Sequence, residues 1–217
     1  MVLTGTPCPK LGDGRSFSTG RDLKLSAEHT TDPERDYYMA CALESVLAWR
    51  RVPVPTIACI EGPCFGWGAE LALACDLRVV SEDATVCFPE TALGLFPGAA
   101  GAVMLPKLLP PHLAKEMVFT ARRYTGREIH DHLGLTNRCV EGPLCLSSGL
   151  QLAESIASNA PLGLAGAKRV MNAADDGGWA EGLDLSRQLR PPLSKTADFQ
   201  EGLAAFRERR PAAFSGR

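Results

Sequence analysis

Apolar positions along the chain change their period about two thirds of the way through. From Asp32 to about Arg51, DPERDYYMACALESVLAWRR carries apolar residues at helical spacing. Asp32 as N-cap with Pro33 at the first helical position opens that helix, and Pro53 and Pro55 end it. Thr56-Ile-Ala-Cys-Ile60 is a short apolar run between Pro and Gly and predicts a buried strand. Leu77–Val80 and Ala84–Phe88 predict two more, after a short apolar helix over Leu71–Cys75. Helices are predicted around Ala99–Leu109 and His112–Ala121, and Thr125-Gly-Arg-Glu128 has the form of a capping box. A short strand follows at Thr136–Val140. After Pro143 only the helical period remains, over roughly 147–159, 161–175, 179–189 and 196–209. Residues 5–16, rich in Gly and Pro, read as loop. Strands alternating with helices, then helices alone, predict an α/β core over residues 1–142 and a helical region over 143–217.

Composition narrows the function classes. The 217 residues suffice for one large domain or a domain with a helical appendage. A net charge of −2 speaks against a nucleic-acid-binding or membrane-surface protein. No apolar stretch approaches the roughly 20 residues of a membrane span. The opening MVLTGTPCPK lacks the charged and apolar regions of a secretory signal. The eight cysteines form no CxxC pair, and several sit in apolar runs such as IACIEG and LALACDL, as small core residues do. Reduced thiols in an intracellular protein are therefore expected, with cytoplasm and mitochondrion both open and no nucleic-acid or membrane partner.

Three short stretches carry candidate chemistry. Gly66-Trp67-Gly68-Ala69-Glu70 lies after a predicted strand and before a helix. Helix-start N–H groups have no intrahelical acceptor there, the macrodipole adds about half a positive charge, and glycine admits a ligand close to the backbone. No Gly-Lys-Ser/Thr follows, so it is not a phosphate loop. Phe17-Ser-Thr-Gly-Arg-Asp-Leu23 is a second glycine turn, and Phe88-Pro-Glu90 sets a second carboxylate at the end of an apolar strand. Taken singly, each also has the look of an ordinary turn. Taken together, they describe an oxyanion hole with one backbone donor from each glycine turn, flanked by two glutamates. Apolar neighbours such as Leu71, Leu73 and Phe88 would favour a protonated carboxyl on one of them.

These motifs, in this order, resemble the crotonase superfamily and within it the enoyl-CoA hydratases. FSTGRDLK is similar to the family's F-x-A-G-x-D-L segment, and IACIEGPCFGWGAELALACDLRVVSEDA to its central stretch. FPETALGLFPGAAGAVMLPKLL is similar to the segment with the second acid, and the last helices to the family's trailing helices. The resemblance implies a spiral of ββα units with C-terminal helices that mediate trimers or dimers of trimers. It implies backbone N–H donors at Arg21 and Trp67, catalytic acids at Glu70 and Glu90, and contacts to coenzyme A along Arg21, Asp22, Leu23 and Lys24. The implied reaction adds water across a 2-enoyl-CoA thioester to give the 3-hydroxyacyl-CoA, a lyase step of fatty-acid β-oxidation. Coenzyme A then arrives as part of the acyl-CoA substrate, with no metal and no further cofactor.

The chain departs from the family pattern at three places. Trp67 stands where the family usually has Gly, and Ala100-Gly-Ala-Val-Met-Leu105 replaces a polar G-G-T-Q-R-L. Only sixteen residues precede Phe17, fewer than family members usually carry, so an exposed sheet edge is expected. Two other readings follow: an enoyl-CoA isomerase of the same fold, and a shortened, non-catalytic homologue acting as a subunit or acyl-CoA-binding protein. His130-Asp-His132 reads as polar residues facing solvent, because residues two apart on a helix do not share a face. Arg207-Glu-Arg-Arg210 reads as a solvated helix end, and Asp76 and Arg78 as structural.

Overall fold

The computed structural model describes residues 1–8, 14–24 and 31–217. The chain begins with β1 (Val2–Thr4), β2 (Thr6–Pro7), β3 (Arg15–Ser16) and helix α1 (Asp32–Arg50). It continues through β4 (Ile57–Ile60), β5 (Pro63–Phe65), α2 (Trp67–Ala74), β6 (Leu77–Ser81) and β7 (Thr85–Cys87). A 3-10 turn over Pro89–Leu93 leads to α3 (Gly101–Leu108), α4 (Pro111–Thr120), β8 (Tyr124–Thr125), α5 (Gly126–Asp131) and β9 (Arg138–Val140). Then come α6 (Cys145–Ala157), α7 (Pro161–Gly177), α8 (Trp179–Leu193) and α9 (Ala197–Glu208).

The strands fall into a repeat. β1, β4, β6 and β9 form a four-stranded sheet in that order, all parallel, with Ile57 opposite both Val2 and Leu77. β5 and β7 pair in parallel in a second sheet, and β8 joins it antiparallel to β7. The β4–β5 and β6–β7 units thus each give the first strand to one sheet and the second to the other before a helix follows. The first unit obeys the same rule: Ser18 makes a parallel bridge with Cys64, accepting from the Phe65 N–H at 2.9 Å and donating to the Pro63 carbonyl at 3.0 Å. The consequence for function is direct. Parallel strands end on one side, so the segments after Ser18, after Phe65 and after Cys87 emerge together, where α/β folds place their ligands.

The sequence patterns have physical counterparts. Ile57, Ala58, Cys59 and Ile60 are all buried, as a strand covered on both faces requires. All eight cysteines are free, and Cys59, Cys64, Cys75, Cys87 and Cys145 are buried among apolar neighbours. The Thr125–Glu128 capping box is formed, with both reciprocal bonds present. The cap of α1 differs by one residue from the expectation. Thr31 is the N-cap and pairs with Glu34 in a second capping box, which moves Asp32 into the first turn. Of residues 5–16, expected as loop, 9–13 lie outside the described residues, and the others include the two-residue strands β2 and β3, paired antiparallel.

Polar side chains fix the central helix. Asp76 Oδ2 accepts from the Thr56 N–H at 2.7 Å and the Thr56 hydroxyl at 2.8 Å, and Thr56 Oγ1 accepts from the Asp76 N–H at 3.0 Å. This clamp joins the start of β4 to the turn after α2. The Arg78 guanidinium donates to the carbonyls of Cys75 at 2.8 Å and Leu135 at 2.6 Å, with longer contacts to Leu73 and Ala72. It therefore holds the C-terminal end of α2, where a cation also complements the helix dipole. Asp76 and Arg78 are structural, as the sequence indicates. Arg78→Ala is expected to cost roughly 3 kcal/mol, because several carbonyls lose a charged donor. A chemical-denaturation midpoint reads this out.

The chain divides into two compact units, one formed by Val2–Val52 with Thr56–Leu150, the other by Met1, Pro53–Pro55 and Gln151–Arg217. Within the second, α7 and α8 approach closely: a β-carbon on Gly182 would stand 2.6 Å from Ala174 Cβ. Asp198 fastens the chain end, accepting from the N–H groups of Ser215 at 2.6 Å and Gly216 at 2.9 Å. Arg210 bridges Glu201 and Glu208, so the basic cluster at 207–210 is in part paired. Among the described residues, no helix is long and apolar enough to cross a membrane.

Candidate active site

The three segments named from sequence meet at one cavity of about 220 Å³. Thr19, Gly20 and Arg21 come from the first turn, Gly66, Trp67 and Glu70 from the second, and Pro89 and Glu90 from the third. Contact between the first two turns is close. A β-carbon on Gly20 would stand 2.8 Å from the Phe65 carbonyl oxygen and 3.5 Å from the Trp67 nitrogen. Trp67 is the first residue of α2, so its N–H has no acceptor within the helix. In the first turn, the Gly20 N–H is directed back to Ser18 Oγ at 3.2 Å. Thr19, on the other side of it, lines the cavity and was not singled out from sequence.

Gly66 precedes α2 with φ 53° and ψ −123°, a conformation that side-chain-bearing residues rarely adopt. A β-carbon at this position would also stand 2.9 Å from Glu90 Oε1. The glycine thus sets both the direction of the helix and the room for the second carboxyl. Gly66→Ala is expected to cost about 1–3 kcal/mol of stability through backbone strain. It should also displace the Glu90 carboxyl, a change visible in a crystal structure of the variant.

The two glutamates differ in surroundings. Glu70 is 3% exposed, on α2, and its Oε1 accepts from the Gly101 N–H at 2.8 Å. That N–H belongs to the start of α3, so the carboxyl is held by a second helix N-terminus. Burial nevertheless pushes its pKa up to about 7, against the opposing hydrogen bond from Gly101 and with a further upward push from Glu90. Burial also raises Glu90, while its own backbone N–H and Arg21 pull the other way. Glu90 Oε2 is buried without a hydrogen-bond partner among the described residues.

Arg21 stands beside this pair. Its guanidinium lies over the Tyr38 ring, 4.5 Å from the centroid, and its Nη1 meets Met39 Sδ. Leu23 also lines the cavity, whereas Asp22 and Lys24 are exposed and outside its lining, joined by a 2.8 Å bond from the Lys24 N–H to Asp22 Oδ1. The lining also takes in Leu93, Leu95 and Phe96, from the segment that follows Glu90 in the third stretch, and two residues that the sequence patterns did not point to, Met39 and Ala42 of α1. The Trp67 indole is fixed by its Nε1–H, which donates to the Ala42 carbonyl at 3.2 Å. A helical period alone could not announce that α1 turns these residues to a cavity. His130 Nδ1 lies 2.9 Å from Thr136 Oγ1, a local contact between α5 and the segment before β9. Among the described residues, no cluster of three or more His, Cys, Asp and Glu side chains is set to hold a metal ion.

Comparison with known proteins shows the family. The enoyl-CoA hydratase/isomerase family model matches residues 2–217. Enoyl-CoA isomerase/hydratase fer4 of Mycosarcoma maydis is 34% identical over 97% of this chain and 78% of its own length. Carnitinyl-CoA dehydratase of Proteus mirabilis is 36% identical over 94% of this chain and 78% of that protein. The crystal structure of enoyl-CoA hydratase from Bacillus anthracis superposes with a TM-score of 0.91 at 32% identity, over 100% of this chain and 81% of that one. With its paired strands, converging turns and full-length family match, this chain belongs to the enoyl-CoA hydratase/isomerase family of the crotonase superfamily.

Proposed function

We propose that the protein adds water to a 2-enoyl-CoA thioester, giving the 3-hydroxyacyl-CoA. One observation carries this reading: two carboxyls, both raised by burial, border a single cavity that also receives the N-terminus of α2. The thioester carbonyl oxygen accepts from the Trp67 N–H and from an N–H of the Thr19–Arg21 turn. The family resemblance implies Arg21 for that second donor. Such donors are worth a few kcal/mol each on an oxygen that gains charge as the thioester becomes enolate-like. The coenzyme A portion runs along the Arg21–Lys24 stretch.

Water addition puts a hydroxyl on the β-carbon and a proton on the α-carbon. The glutamate pair therefore has to hold one proton between its members. Glu70, as carboxylate, takes a proton from the attacking water; Glu90, as acid, delivers its proton to the α-carbon. After turnover the proton sits on Glu70, the deeper group, and passes to Glu90 before the next cycle. Atoms and charge balance without a metal or redox partner. The same reading includes a homotrimer or dimer of trimers, supported by exposed apolar side chains on the C-terminal helices: Trp179 at 81%, Met171 at 71% and Phe206 at 84%.

The test is incubation with crotonyl-CoA and, separately, with a 3-enoyl-CoA, followed by mass. Hydration yields a product heavier by one water from the first substrate. An isomerase would instead move the double bond of the second substrate without a mass change, and that result would replace the present reading. Binding of both thioesters with no reaction would favour the non-catalytic alternative.

A further inference from the structure

We propose that the Trp67 indole limits the length of the acyl chain, so that this protein selects short enoyl thioesters. The inference rests on the acyl-thioester reading above and deepens it. Trp67 and Ala42 both line the cavity, one at the start of α2 and the other on α1. The Nε1–H bond to the Ala42 carbonyl, 3.2 Å long, stretches the indole across the space between those helices. A glycine at position 67 would leave that space open and continuous with the cavity. The indole is partly buried and packs against the hydrophobic core, so it is seated in one place.

Met39 closes the adjoining side. Its Cε lies against the Pro97–Gly98 segment, 3.3 Å from where a β-carbon on Gly98 would stand, and its Sδ meets the Arg21 guanidinium. What remains is a cavity of about 220 Å³. Clefts that engulf a drug-sized ligand run to roughly 300–1,000 Å³, so this cavity is small beside them, while it stays open where Leu93, Leu95 and Phe96 are exposed. The neighbours of the closed space are Met39, Ala42 and Trp67 itself, which suit hydrocarbon and offer little to the amides of the coenzyme A arm. The blocked gap is therefore an extension of the acyl site.

Calorimetric binding of butyryl-CoA and decanoyl-CoA to the intact protein tests this without depending on catalysis. Wild type is expected to bind decanoyl-CoA no more tightly than butyryl-CoA. Trp67→Ala should raise the affinity for decanoyl-CoA relative to butyryl-CoA by at least about tenfold, because the longer chain gains an apolar channel. Trp67→Phe, which keeps most of the ring, should stay closer to wild type, and Met39→Ala should move in the direction of Trp67→Ala. The inference is overturned if wild type already prefers decanoyl-CoA by about tenfold, or if Trp67→Ala binds butyryl-CoA with an unchanged ratio. Should Trp67→Ala not fold, the wild-type ratio and Met39→Ala decide. If wild type binds neither thioester, the acyl-CoA reading itself falls, an outcome distinct from an unchanged ratio.

Discussion

Glu90→Gln is expected to slow hydration of a 2-enoyl-CoA by about 10²- to 10⁴-fold, with the thioester still bound. Glutamine keeps the shape of the side chain beside Gly66 but cannot give up a proton in the same way. Oε2 of Glu90 is buried with no hydrogen-bond partner among the described residues, so the substitution breaks no hydrogen bond at that atom. The loss should fall mainly on kcat, since the donors at the thioester carbonyl are backbone groups that the change leaves in place. Glu70→Gln should lose activity in the same range, because the amide cannot accept a proton from water. The double variant should be little worse than either single one, as expected when two residues act as a unit. Steady-state kinetics on crotonyl-CoA, with circular dichroism as a check on folding, measures all three.

The second large effect is on stability, and its sign is opposite. Glu70 has its pKa raised from 4.5 to about 7 in the folded chain. Between those values the folded protein binds a proton that the unfolded chain has released. Stability therefore falls as pH rises from about 4.5 through about 7, and the loss is complete above the folded value. A shift of that size corresponds to roughly 3 kcal/mol. Glu70→Gln keeps an oxygen to accept the Gly101 N–H and removes the ionisation. The variant should be more stable than wild type by up to roughly 3 kcal/mol at pH 8, and by much less at pH 5. Denaturant midpoints at the two pH values give the comparison. A wild type and variant of equal stability at pH 8 would mean that Glu70 ionises without penalty. Together with the kinetics, a variant more stable than wild type at pH 8 would make Glu70 a residue whose burial is kept at the expense of the fold.

How much of this is legible in the sequence depends on how local each feature is. The capping box at Thr125–Glu128 is written in four residues and formed as written. The cap of α1 is local too, but Thr31 and Asp32 are both good caps, and Glu34 selects Thr31 by its three-residue spacing. The buried strand at 57–60 follows from four apolar residues between breakers, whereas β5, only Pro63–Phe65, is too short for any period. Its identity as a strand comes from β7, with which Cys64 pairs opposite Val86. The two glutamates could be named from their motifs and the family resemblance. That Glu70 would be held by the Gly101 N–H, 31 residues later, could not. The polar pair missing at Ala102-Val103 gave no hint that the backbone at the start of the same segment would serve the site. The α1 wall escaped for the same reason: Met39 and Ala42 look like part of any helical stripe, and only their contacts to Arg21 and Trp67 tie them to the cavity they line.

The central claim is that one cavity brings together an oxyanion site and a glutamate pair that adds water to an enoyl thioester. Its most direct test is the reaction of crotonyl-CoA in water labelled with heavy oxygen, with wild type, Glu70→Gln and Glu90→Gln side by side. A 3-hydroxyacyl product carrying the label at the β-carbon is expected from wild type, with at least about a hundredfold slower labelling from each variant. Labelling by both variants at the wild-type rate, or a wild type that binds butyryl-CoA yet incorporates no label, would contradict it.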